Sequence, residues 1–118
     1  MSKVLVIDDD PIFRRLAQMI LKKREITVCD ADNAEDGITL IRQENPDAVF
    51  LDVAMPGTDG LEALALIRKD PEIAGTKVFF LTGAEEETVK QKAEELGAAG
   101  FISKPFTADM LYRALELG

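Results

Sequence analysis

At 118 residues, with 47% hydrophobic and 31% charged side chains, the chain fits one globular core over residues 1–118, and neither a disordered nor a second-domain reading is called for. A net charge of −8 with no basic stripe argues against direct binding of nucleic acid or an anionic membrane, and the longest apolar runs are too short to cross a bilayer. The absence of histidine removes imidazole acid–base catalysis, Ser-His-Asp triads and nearly all protein zinc sites, so carboxylates, lysines and hydroxyls must do any chemistry.

The chain begins Met1-Ser2-Lys3 and turns at once into Val4-Leu5-Val6-Ile7-Asp8, too short and too quickly acidic for a secretory signal, which points to the cytoplasm. Val4 to Ile7 reads as a first strand ending in Asp8-Asp9-Asp10. Pro11 behind Asp10 looks like a first-turn proline behind an N-cap. Ile12, Leu16, Met19 and Ile20 recur as one helix face, predicting a helix from about Pro11 to Arg24. Ile26 to Cys29 is the second strand, and the lone Cys29 reads as a small buried thiol without a role. Asn33 can cap a second helix through Ile38 and Ile41, ended by Pro46. Ala48 to Leu51 forms the third strand and delivers Asp52 at its end; Thr58 or Asp59 can then cap a helix through Leu61, Leu64 and Ile67. After a loop marked by Pro71 and Gly75, Val78 to Leu81 is the fourth strand, ending in Thr82. Val89, Ala93 and Leu96 define a fourth helix ended by Gly97. Gly100 to Ile102 leads into Ser103-Lys104-Pro105, and Thr107 can cap a fifth helix through Met110, Leu111, Ala114 and Leu115.

Five βα units in succession predict an α/β fold, and the continuously hydrophobic runs at the first, third and fourth strands demand cover on both faces, hence a parallel central sheet. Right-handed crossovers leave an open doubly wound sheet or a closed barrel, and five units are too few for the eight-stranded barrel. Ligands of open α/β sheets bind beyond the carboxyl ends of the strands. Those ends bring Asp8, Asp9 and Asp10, Asp52, Thr82 and Lys104 to one edge. Singly each has a bland use as a cap, a solvated end or a turn. Together they do not, because carboxylates about 5 Å apart repel by roughly 3 kcal/mol per pair at an effective dielectric near 20. A cation belongs among them. Mg²⁺ fits best, since zinc prefers His or Cys and calcium more oxygen ligands. A carboxylate flanked by Mg²⁺ and an ammonium group is a nucleophile toward phosphorus, so the constellation is that of a phosphoryl acceptor.

The chain resembles the receiver domains of response regulators from about Lys3 to Leu117. The resemblance is carried by Val4-Leu5-Val6-Ile7-Asp8-Asp9-Asp10-Pro11, Phe50-Leu51-Asp52-Val53-Ala54-Met55-Pro56-Gly57-Thr58-Asp59-Gly60, Leu81-Thr82-Gly83-Ala84 and Phe101-Ile102-Ser103-Lys104-Pro105-Phe106. It implies a flavodoxin-like (βα)5 fold with strand order 2-1-3-4-5. It also implies that Asp52 is the phosphoacceptor and that Asp8 and Asp9 form the acidic pair holding Mg²⁺. In that arrangement Asp9 and Asp52 ligate directly, Asp8 acts mostly through water, and the Ala54 backbone carbonyl fills a further ligand position. Lys104 would pair with the acceptor carboxylate and then with phosphoryl oxygens, and Thr82 would bond the phosphoryl group. Phe101 falls at the switch aromatic, and the Lys104–Pro105 bond is expected to be cis. The implied donor is a sensor histidine kinase or a histidine phosphotransfer protein. The implied output is a downstream protein or a fused output domain, reached through helix four, strand five and helix five, a surface that also allows a phosphorylation-dependent dimer.

The sequence departs from the commonest family pattern at Phe101, which lacks the frequent tyrosine's hydroxyl, at Gly83, and at Ala54, which offers no polar side chain. Two rivals remain. A Mg²⁺-dependent aspartyl-phosphate phosphohydrolase needs an acid–base carboxylate two residues after its nucleophile, where this chain has Ala54. A receiver-like scaffold working without phosphorylation would normally have lost one of Asp8, Asp9, Asp52 or Lys104, and all are present. The expectation is thus a signalling phosphoacceptor rather than an enzyme with an external substrate.

Overall fold

The computed structural model describes residues 3–83 and 87–116; Met1, Ser2, Ala84 and Leu117, all named above, lie outside the described residues. The elements follow one another as β1 (Lys3–Ile7), α1 (Pro11–Lys22), β2 (Thr27–Ala31), α2 (Ala34–Glu44), β3 (Ala48–Asp52), α3 (Gly60–Lys69), β4 (Val78–Thr82), α4 (Glu87–Glu95), β5 (Gly100–Ser103) and α5 (Ala108–Ala114). All strand pairings are parallel and the order is β2-β1-β3-β4-β5, the flavodoxin-like doubly wound sheet expected.

The hydrophobic runs explain the layering. Because side chains alternate across a strand, Val4, Val6, Phe50 and Leu81 pack on one face with Leu21 and Leu111, under α1 and α5. Leu5, Ile7, Leu51 and Phe80 fill the other face with Ile41 and Leu64, under α2 and α3. Both faces are dry, so β1, β3 and β4 must be apolar at nearly every position.

Caps set where the helices start. Asp10 accepts from the Ile12 N–H at 2.9 Å, Asn33 from Asp36 at 2.8 Å, and Asp59 from Glu62 at 2.9 Å. Thr107 caps α5 by accepting from the Met110 N–H at 3.3 Å. Asp59, not Thr58, is therefore the cap of α3; the Thr58 hydroxyl donates instead to Glu35 at 2.7 Å. Gly60 is required where α3 meets the site, since a Cβ there would lie 2.8 Å from Val53 Cα.

Four expectations need correction. The first helix ends at Lys22 rather than Arg24, because Glu25 takes a left-handed φ of 61° and the Ile26 N–H returns to the Leu21 carbonyl at 3.2 Å. The second strand runs Thr27–Ala31, because pairing continues as far as Ile7↔Ala31 and an edge strand can carry the exposed Asp30. The buried stripe of α1 is only partly the one the periodicity singled out: Ile20 is buried and Leu16 packs against the core, but Ile12 and Met19 are 73% and 58% exposed, and Ala17 and Leu21 complete the buried face. Cys29, lying on the edge strand, is only half-buried, and burial still pushes its thiol pKa up.

Candidate functional site

The strand order puts β1 and β3 side by side and sends their connections to opposite faces, opening a crevice beyond their carboxyl ends. Asp8 follows β1 directly and is fully buried; Asp52 closes β3 and is 5% exposed; Asp9 is exposed at the rim. One carboxylate oxygen from each of Asp8, Asp9 and Asp52 lies within 4.8 Å of the others. Thr82, buried, closes β4 beside them. Ser103 sits opposite Thr82 in register, and the Lys104 N–H donates to the Thr82 carbonyl at 2.6 Å, which turns the Lys104 side chain toward the crevice. The Lys104–Pro105 bond is cis.

Lys104 Nζ lies 2.7 Å from Asp8 Oδ2 and 3.4 Å from Asp52 Oδ1. The resemblance pairs this lysine with the acceptor; in the structure its shorter contact is to Asp8. Asp8 Oδ1 accepts from the Asp10 N–H at 2.9 Å, but Oδ2 has no aligned hydrogen-bond donor and is compensated by charge alone. Asp52 Oδ1 accepts from the Ala54 N–H at 3.3 Å. Burial, then the neighbouring charge of Asp8, pushes the Asp52 carboxyl up to about 7, against the opposing pull of Lys104 and the Ala54 N–H. Burial alone would lower Lys104, yet its close contact with the Asp8 carboxylate, reinforced by Asp52, raises it.

These groups suit a hard cation. The donors are carboxylate oxygens without nitrogen or sulfur, and a buried Asp8 oxygen lacks an aligned donor, so Asp8, Asp9 and Asp52 fit Mg²⁺. Ala54 is exposed in the loop leaving β3, its N–H already turned back to Asp52.

Phe101, in β5, is half-buried and stacks on Phe80 with ring centroids 6.3 Å apart, while Lys90 Nζ of α4 lies 5.9 Å from its ring. Sequence reasoning missed two neighbours of the site. Arg14 donates from one guanidinium nitrogen to the Asp8 backbone carbonyl at 2.8 Å and from Nε to Asp30 at 2.9 Å, tying β1 to β2. Phe13 sets its ring 4.5 Å from Lys104 Nζ. Both lie in the first turns of a helix that starts from the acidic pair, where side chains hang over the sheet edge; that placement was the available signal.

The response regulator receiver domain family matches the chain over residues 4–116, and the chain belongs to that family. It is a response-regulator receiver domain of the CheY/PilH type. Protein PilH of Pseudomonas aeruginosa is 33% identical over 116 residues, covering 98% of this chain and 96% of its own. Chemotaxis protein CheY of Listeria monocytogenes is 36% identical over 118 residues, covering 98% and 97%. The transcriptional regulatory protein ResD of Bacillus subtilis is 36% identical over 106 residues, and there the chain spans 43% of the relative. Among solved structures, chemotaxis protein CheY4 of Vibrio cholerae superposes with a TM-score of 0.91 at 27% identity, covering 98% of this chain and 97% of that one. Among the described residues no helix is long and apolar enough to cross a membrane.

Proposed function

We propose that this domain accepts a phosphoryl group on Asp52 in a Mg²⁺-dependent reaction, with a sensor histidine kinase or histidine phosphotransfer protein as donor. The observation that carries the reading is the buried Asp52 carboxylate at the end of β3, with an ammonium group 3.4 Å away and two further carboxylates grouped around it. Asp8, Asp9 and Asp52, with the Ala54 carbonyl, would hold the ion. Bound Mg²⁺ would supply charge neutralisation for the oxygens of the transferring phosphoryl group.

An Asp52 carboxylate oxygen attacks phosphorus, the bond from phosphorus to the donor's imidazole nitrogen breaks, and the imidazole takes a proton as it leaves. Lys104 offsets charge on the phosphoryl oxygens. The Thr82 hydroxyl, at the end of β4, donates to one of them. That draws Thr82 inward and lets Phe101 follow, changing the surface of α4, β5 and α5 that meets a downstream protein or fused output domain, or a second copy of the domain. On this reading residues 1–118 form one signalling unit that works in the cytoplasm and acts on no external substrate.

Acetyl phosphate with Mg²⁺ tests it. The wild type is expected to take a stable label, and Asp52→Asn none. Rapid turnover of the donor would favour a hydrolase, no label at all a scaffold, and equal labelling of Asp52→Asn would overturn the assignment of the acceptor.

A further inference from the structure

Lys104 has a third neighbour besides its two carboxylates. Its Nζ lies 4.5 Å from the centroid of the Phe13 ring, a contact between α1 and the loop after β5. The ring is itself held, since Phe13 and Phe106 pack with centroids 5.6 Å apart at a tilt of 46°. Phe106 is buried at the base of the same loop, two residues after Lys104. The Lys104 side chain is mostly buried, so its ammonium meets the ring where little water competes.

We propose that Phe13 is a positioning residue for the phosphoryl-transfer site: its ring face holds the Lys104 ammonium in the crevice without taking an N–H that the phosphoryl oxygens need. An ammonium group has three donors. Asp8 and Asp52 stand close to it, and a polar residue in place of Phe13 would compete for the remaining donor. An aliphatic residue would fill the space but offer the cation nothing. A π face attracts the charge and gives way at small cost when a stronger acceptor arrives. This also explains why Lys104 can rest nearer Asp8 than Asp52 and still be near enough to move to a group carried on Asp52. The inference rests on the phosphoryl-acceptor reading of the site.

The test replaces Phe13 by phenylalanines bearing one, two and three ring fluorines, which drain the π face at nearly constant size, beside Phe13→Leu and Phe13→Tyr. The acetyl phosphate labelling rate at saturating Mg²⁺, the Mg²⁺ affinity from thermal melts, and the NMR signals of the Lys104 ε-methylene are measured for each. Labelling should fall stepwise with fluorination and by about three- to tenfold in Phe13→Leu. It should stay near wild type in Phe13→Tyr, with Mg²⁺ affinity changed by less than about twofold throughout. In Phe13→Leu the ε-methylene protons should lose an upfield ring-current shift. A labelling rate indifferent to fluorination, or losses that track only melting temperature, would overturn the inference and leave Phe13 as packing. If the wild type takes no label, the acceptor reading fails by itself. The ε-methylene shifts and their dependence on fluorination then judge the contact, and an unshifted wild-type signal overturns it.

Discussion

Arg68 and Lys104 are both partly enclosed cations, and their surroundings are opposite in kind. Arg68, in α3, spends its donors on neutral backbone: Leu96 at 2.7 Å, Ala74 and Thr76 at 2.8 Å, and Gly97 at 2.9 Å. It ties the end of α4 and the loop after α3 to one guanidinium, and burial lowers its pKa without threatening its charge. Lys104 faces carboxylates in excess, one of them with an oxygen that no donor is aligned to satisfy. A cation that directs four of its five donors to backbone dipoles stiffens a scaffold. An acidic cluster with a buried oxygen that no donor is aligned to satisfy has the chemistry to take further positive charge.

The contrast is sharpest when each cluster is disturbed. Arg68→Ala should leave four carbonyls without their donor and destabilise the domain by about 3 kcal/mol in urea unfolding. Labelling of Asp52 per folded molecule should change by less than about twofold. A large loss of labelling at unchanged stability would erase the distinction between scaffold and site.

Asp52→Asn should act in the other direction. In EDTA at pH 8 it should stabilise the protein by about 1–3 kcal/mol, the scale of one relieved like-charge contact at an effective dielectric near 20. A loss of stability on that substitution would mean that the pairing with Lys104 outweighs burial and the repulsion from Asp8.

The same carboxyl sets a pH dependence. Its folded pKa is raised to about 7, so the folded state binds the proton more tightly than the unfolded chain does. Metal-free stability should therefore fall as the pH rises from about 4 through about 7. The slope should flatten in Asp52→Asn, and unfolding curves in EDTA across that range measure it.

The smallest effect belongs to Asp9. Two of the three carboxylates are buried, but Asp9 is exposed, so solvent screens its repulsion. Asp9→Asn should stabilise the metal-free domain by less than about 1 kcal/mol, below the roughly 3 kcal/mol per pair that spacing alone suggests. It should nevertheless remove most of the rise in melting temperature on adding Mg²⁺. A mutant whose melt still rises fully with Mg²⁺ would take Asp9 out of the cation site.

Much of this was legible in the residues themselves. Alternating strand and helix signals, the caps at Asp10, Asn33 and Thr107, the cap of α3 as either Thr58 or Asp59, and the acidic strand ends at Asp8 and Asp52 all stand in the sequence because each depends on neighbours a few residues away. Strand order came with the family resemblance, which rests on the same local motifs.

Contacts between elements were another matter. Helix α1 carries a wide apolar face, and a period of 3.6 residues says how such a face is spaced, not which part of it turns inward. The docking of α1 against the sheet and α5 kept Leu16 and Ile20, chose Ala17 and Leu21 over Ile12 and Met19, and put Phe13 beside Lys104. Arg68 looked like any helical arginine until α4 and the loop after α3 brought it four carbonyls. The sequence by itself determined the elements and the chemistry at their ends, because local spacing and side-chain type suffice for both. Only the tertiary structure decided which carboxylate Lys104 approaches most closely and which ring lies beside it, because those distances depend on how separate elements pack together.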